Sequence, residues 1–131
     1  MTIPSFSQEI KEYIQTGQLT LVLPRDESMR VNANGFKELV AVNIPIDENV
    51  KKLLEISGPC VVAAAAIPGL GLPLTIKDIS LKIKDGVEYM LDAGKISGIV
   101  STIINFEKRK PILSRIGAVP EEIVKRLFPE I

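Results

Sequence analysis

A chain of 131 residues with 46% hydrophobic and 24% charged side chains has the length and composition for one hydrophobic core, which excludes disorder and leads us to expect one domain over 1–131. Sixteen basic residues balance sixteen acidic ones, so no global field draws nucleic acid, anionic lipid or acidic substrates, and such a partner needs a local patch. There is no histidine, which excludes Ser-His and Cys-His nucleophilic catalysis and removes the commonest metal ligand; we expect no metal site.

The opening Met1-Thr2-Ile3-Pro4-Ser5 has neither the basic stretch nor the apolar run of a secretory signal. No apolar run approaches the ~20 residues of a membrane span, so a cytoplasmic protein without a membrane partner is expected. Ser5 followed by Gln8 has capping-box spacing, and Phe6, Ile10, Tyr13 and Ile14 mark one face of a helix that stops at Gly17. Leu19 to Leu23, ended by Pro24, reads as a strand entering the polar loop Arg25 to Asn34, and Leu39 to Ile44, ended by Pro45, as a second strand.

Asp47 is placed to cap a helix whose Val50, Leu53 and Leu54 face the core and whose end is marked by Ser57-Gly58-Pro59. A buried strand through Cys60 to Ala66 follows, in which the single cysteine is a small hydrophobe rather than a reactive thiol. Pro68, Gly69, Gly71 and Pro73 then make a turn, and Gly69-Leu70-Gly71 fits a tight turn better than a phosphate loop. Thr75 with Asp78 gives another capping pattern, with Ile76, Ile79 and Ile83 at helical spacing before Asp85-Gly86. Two β-rich runs, Glu88 to Leu91 and Val100 to Phe106, precede Ile112-Leu113. The last helix has Pro120 near its first turn, Glu121 and Glu122 at its positive end, and Lys125 and Arg126 at its negative end. Strands alternating with helices predict a mixed, largely buried, twisted α/β sheet flanked by helices.

Several segments share one register with a known family. Thr16 to Pro24 resembles the Pro-Gly-Pro-Leu-Thr-Leu-Val-Leu-Pro segment common in YrdC/Sua5 proteins, and Val40-Ala41-Val42-Asn43-Ile44-Pro45 their Val-Gly-Val-Arg-Ile-Pro strand. Gly58-Pro59 stands at the Gly-Pro that opens the family's nucleotide-site strand. Val87 to Asp92 resembles Val-Asp-Leu-Ile-Leu-Asp, Gly98 to Ile104 resembles Gly-x-Pro-Ser-Thr-Val-Val, and Arg115 to Val119 resembles Arg-x-Gly-Ala-Ile. The resemblance runs from about Ile10 to Leu127 and implies the later two-thirds of the YrdC-like (DHBP synthase RibB-like) α/β fold.

The family it resembles makes threonylcarbamoyl-AMP from L-threonine, bicarbonate and ATP, for the threonylcarbamoyl modification of a tRNA adenosine. Such a site gathers anions and needs fixed cations and hydrogen-bond donors. The family's Thr/Tyr-rich opening region and its Lys-Arg motif have no counterpart in this sequence, which is expected to be shortened at its start. Ala63, Ala64, Ala65 and Ala66 stand at the family's Thr-Ser-Ala-Asn, Pro68 at a following Ser, and Asn43 at the strand Arg. Each lost hydrogen bond to a charged ligand is worth about 1.5–3 kcal/mol, so a non-catalytic protein with no catalytic residue is expected.

Ser101, Thr102 and Arg115 match family positions near the nucleotide, and the resemblance makes them the expected nucleotide contacts, with ATP the only cofactor implied. The plainer alternative is a Ser-Thr pair bonded to backbone and a solvated arginine. Lys108, Arg109 and Lys110, with Lys82, Lys84, Lys125 and Arg126, would form a basic surface for tRNA, the family also being described as binding double-stranded RNA; a charged turn and ordinary helix faces are the alternative. Three roles follow: a pseudoenzyme linked to tRNA modification, one component of a split synthase completed by another chain, or a structural or regulatory homo-oligomer that covers an exposed sheet edge.

Overall fold

Local turn chemistry starts and stops each element of the chain. A computed structural model describes residues 5–25, 38–108 and 110–131. These fall into two units, Met1–Cys60 with Val100–Ile131, and Val61–Ile99. Met1 to Pro4, the loop after Arg25 as far as Asn34, and Arg109 lie outside the described residues.

In the first unit, helix α1 spans Gln8–Gln15, and its start differs from the expected Ser5 box. The Ser7 hydroxyl caps it by accepting from the Ile10 amide at 3.3 Å. The helix ends where Gly17 turns left-handed at φ +70°; a Cβ there would lie 2.8 Å from the Ile44 carbonyl oxygen, so only glycine fits.

Strand β1 (Leu19–Pro24) pairs antiparallel with β2 (Leu39–Val42) and parallel with β3 (Thr102–Asn105), in the register Leu19 with Thr102 and Leu21 with Ile104. Strand β4 (Ile112–Arg115) returns antiparallel along β3, and the order is β2-β1-β3-β4. The sheet is therefore mixed, as expected. It is not largely buried: β1 and β3 carry the interior, whereas β2 and β4 bury none of their residues because each lies at an edge.

Alternation places Leu19 and Leu21 on one face of β1 beside Thr102 and Ile104 of β3. Together with Ile10 of α1, Val119, Val124 of the last helix α4 (Glu121–Leu127) and Phe128, the three apolar residues among these form the core. Phe106 meets Phe6 and Phe128 edge to face at its margin. Each such side chain withdrawn from water stabilises the fold by roughly 1.5–3 kcal/mol. An Arg126–Glu9 ion pair at 2.6 Å ties α4 to α1 at the surface.

Helix α2 (Glu48–Ser57) begins as predicted, with the Asp47 carboxylate accepting from the Asn49 and Val50 amides at 2.9 and 3.0 Å. Its apolar positions do not reach the core: Val50 and Leu53 are exposed, and Leu54 is only half-buried. Cys60 is likewise exposed rather than buried, its thiol 3.3 Å from the Ser57 hydroxyl. The expected strand through it is absent among the described residues. Among the described residues no strand lies beside this segment to complete a ladder.

The second unit is built from turns. Gly69 and Gly71 both have positive φ around the turn that the Leu70 amide closes on the Ile67 carbonyl, as the tight-turn reading anticipated. The predicted helix over the three isoleucines is broken into a 3-10 turn, Ile76–Asp78, and one turn of helix, α3 (Leu81–Lys84). The break falls at Ser80, whose hydroxyl caps α3 by accepting from the Lys82 amide, so the local cap outweighs the apolar spacing. Glu88 to Leu91 forms no strand; with no ladder partner it stays exposed, Tyr89 by 88%.

Candidate functional site

Because β1 and β3 run parallel while β2 and β4 oppose them, the starts of the first two strands meet the ends of the second two. Thr20, Ser101, Arg115 and Asn43, which follows β2, thus gather at one end of the sheet. The Arg115 guanidinium lies over Ser101: Nε and Nη2 donate to its carbonyl oxygen at 3.0 and 2.8 Å, and Nη2 to its hydroxyl at 3.2 Å. Three of the five N–H donors of arginine are used in this way. The two on Nη1 have no partner among the described residues, and no carboxylate there pairs with Arg115.

The Ser101 hydroxyl also lies 2.6 Å from the Thr20 hydroxyl, and Asn43 Nδ2 donates to Thr20 Oγ1 at 3.1 Å and to the Gly17 and Leu19 carbonyls at 3.1 and 3.0 Å. Asn43 therefore ties the α1–β1 connection to the end of β2. Sequence reasoning treated it only as a lost arginine and passed over Thr20, although a hydroxyl between two core leucines was a signal.

Thr102 faces the other way. Fully buried, its hydroxyl donates to the Val119 carbonyl at 2.8 Å and accepts from the Gly117 and Val119 amides at 2.9 Å each. It fastens the segment after β4 to β3. Gly117 passes so close to β3 that a Cβ on it would stand 2.6 Å from the Ser101 carbonyl carbon. Sheet topology brings Ser101 and Arg115 together and turns Thr102 inward.

Lys108 and Lys110 lie in the β3–β4 connection, at the opposite end of the sheet from Arg115, while Arg109 is outside the described residues. Lys125 and Arg126 are occupied by Glu121 and Glu9 at 2.7 and 2.6 Å. Lys82 and Lys84 belong to the Val61–Ile99 unit, where the Lys84 ammonium donates to the Lys77 carbonyl at 3.4 Å.

In that unit, Ala63 to Ala65 are exposed and Ala66 is half-buried. Ala65 and Ala66, with Ile67, Leu70, Leu72, Asp78 and other neighbours, line a shallow hollow of about 90 Å³. Its one carboxylate, Asp78, accepts from the Thr75 hydroxyl at 2.7 Å and the Thr75 amide at 2.9 Å. The hydroxyl chiefly, then the amide, holds its pKa below the ordinary aspartate value, so it stays anionic at neutral pH and repels phosphate. Among the described residues no group of acidic or cysteine side chains is arranged to hold a metal ion, and no helix is long and apolar enough to cross a membrane.

The Sua5/YciO/YrdC family model, described as telomere recombination, matches residues 2–117. The chain belongs to this family. It is 30% identical over 131 residues to the threonylcarbamoyl-AMP synthase of Pyrococcus abyssi (strain GE5 / Orsay), covering 98% of this chain and 38% of the relative. The solved P. abyssi Sua5 complexed with L-threonine superposes with a TM-score of 0.84 at 30% identity, over 100% of this chain and 39% of the other. The H234A/Y235A form of P. abyssi Sua5 gives 0.77 at 30% identity, over 92% and 37%. This family member thus spans about two fifths of the length of these relatives, and its mixed α/β sheet is the Sua5 fold over that stretch. It is related to enzymes of tRNA threonylcarbamoyladenosine modification.

Proposed function

We propose that this chain is a non-catalytic member of the Sua5/YciO/YrdC family that binds the phosphate of a nucleotide at Ser101 and Arg115, in connection with tRNA threonylcarbamoyladenosine modification. The observation that carries the reading is the Arg115 guanidinium: held by the Ser101 carbonyl, without a carboxylate among the described residues, and with Nη1 unspent. An arginine oriented by backbone rather than neutralised by an acid is prepared for an oxyanion. The non-catalytic part rests on Ala63 to Ala66 and on the neighbouring anionic Asp78, whose side chains offer no donors to developing charge.

Two charge-assisted hydrogen bonds amount to about 3–6 kcal/mol, so a dissociation constant on the order of millimolar is expected for ATP. Calorimetric titration should give such binding, weakened about tenfold or more in Arg115→Ala. Equal affinity in the two proteins would overturn the reading, and formation of threonylcarbamoyl-AMP from ATP, L-threonine and bicarbonate would overturn its non-catalytic part.

A different observation favours a second reading, in which another chain completes the domain in a split synthase. Val42, Ile44, Ile46, Val50, Leu53 and Ile56 expose apolar surface along β2, at the sheet edge, and α2. Exposed apolar side chains beside an edge strand commonly mark an interface. Light scattering after size exclusion distinguishes a self-associating chain from one that stays monomeric until a complementary chain is co-expressed.

A further inference from the structure

The two facing hydroxyls at the sheet end share one proton between them, and burial decides which one donates. Thr20 is 9% exposed; its Oγ1 accepts from Asn43 Nδ2, and among the described residues Ser101 Oγ is its acceptor within reach. Ser101 is half-buried and already accepts from Arg115 Nη2. Were Ser101 to donate to Thr20, the Thr20 proton would be left without an acceptor in a nearly closed position, a costly arrangement. With Thr20 donating, Ser101 accepts from both Thr20 and Arg115 Nη2, and its own proton is left free for another acceptor.

We infer that Thr20 is a positioning residue that fixes the direction of this hydroxyl pair, so that the Ser101 O–H, held against the Arg115 guanidinium, is free to donate to a phosphate-like oxyanion. The inference rests on the phosphate-binding reading above and assigns the side chain that orients its serine. Asn43 supports the arrangement: it occupies one lone pair of Thr20 Oγ1, leaving the threonine proton directed toward Ser101.

The test is to titrate the full chain with ATP and separately with pyrophosphate, following the Arg115 Nε–H resonance and heats of binding, in wild type, T20V, T20S, S101A and the T20V/S101A double variant. Valine keeps the shape and strand preference of threonine but removes the hydroxyl; serine restores it. Loss of one charge-assisted donor corresponds to about tenfold or more in affinity. The expected result is that T20V and S101A each weaken pyrophosphate binding by that factor, the double variant is no weaker than either, and T20S binds like wild type. A purely structural role for Thr20 would not produce that non-additivity.

Wild-type affinity in T20V, or additive losses in the double variant, would overturn the inference while leaving the nucleotide reading intact if Arg115→Ala still weakens ATP binding about tenfold or more. Thr20-dependent binding of pyrophosphate without binding of ATP would sustain the inference and remove the nucleotide. Should T20V fail to fold, S101A and T20S carry the test: equal binding by S101A and wild type, or loss in T20S, refutes it. Absence of binding by either probe in wild type refutes it as well.

Discussion

Two regions of this chain have similar appetite for burial and opposite outcomes. In the unit made of Met1–Cys60 and Val100–Ile131, seven apolar side chains among the described residues are buried between one face of a paired sheet and helices α1 and α4. In Val61–Ile99 no side chain is buried, although Val62, Leu70 and Leu91 are as apolar as those in the core. The difference lies in covering layers rather than hydrophobicity. A strand face becomes interior when a neighbouring strand satisfies its amides and a helix lies across it, and the second region has neither strand nor long helix.

The sharpest way to break this comparison is to truncate both regions. Leu19→Ala or Ile104→Ala should cost about 2–5 kcal/mol of unfolding free energy in urea titrations. Val62→Ala or Leu70→Ala should stay within about 0.5 kcal/mol. Similar losses in both regions would erase the distinction. Gly117→Ala comes next, at about 3 kcal/mol, since the added methyl meets β3 backbone that cannot rotate away. Thermal unfolding would measure it, and the Arg115–Ser101 contact should loosen in step.

Thr102→Val is expected to cost about 2 kcal/mol, because it strips the half-buried Gly117 and buried Val119 amides of their acceptor while keeping shape. Faster amide exchange at those two residues would report it. The smallest effect belongs to the second region. The folded pKa of Asp78 lies below its unfolded value, so its support of the Thr75 turn is complete above the ordinary aspartate value and fades as pH falls through the lower one. Carbon-detected titration should show that depressed midpoint in wild type and its return toward normal in Thr75→Val; an unchanged midpoint would mean that the hydroxyl is not the cause.

Elements governed by short-range chemistry were readable from sequence. Asp47 starts α2, Gly17 ends α1, Pro120 leads into α4, and the strands near Leu19 and Ile104 follow from their β-rich runs. Elements that depend on a partner were not. The Cys60 and Glu88 runs have strand composition, but composition does not say whether another strand arrives beside them. The site divides along the same line. Ser101 and Arg115 were visible through family motifs, and their contact required the antiparallel return of β4. The inward turn of Thr102 follows from strand alternation, since it shares a face with Ile104; the family pattern obscured that simpler reading.

The parallel pairing of β1 with β3 joins residues as far apart as Thr20 and Ser101, 81 positions along the chain. Contact order is therefore high at the centre of the molecule. On the ribosome, β1 is made long before the strand that will flank it, and its Leu19-Thr20-Leu21-Val22-Leu23 stretch has the character of a self-pairing, aggregation-prone segment while it waits. Slow closure of the sheet is the consequence of that single crossover.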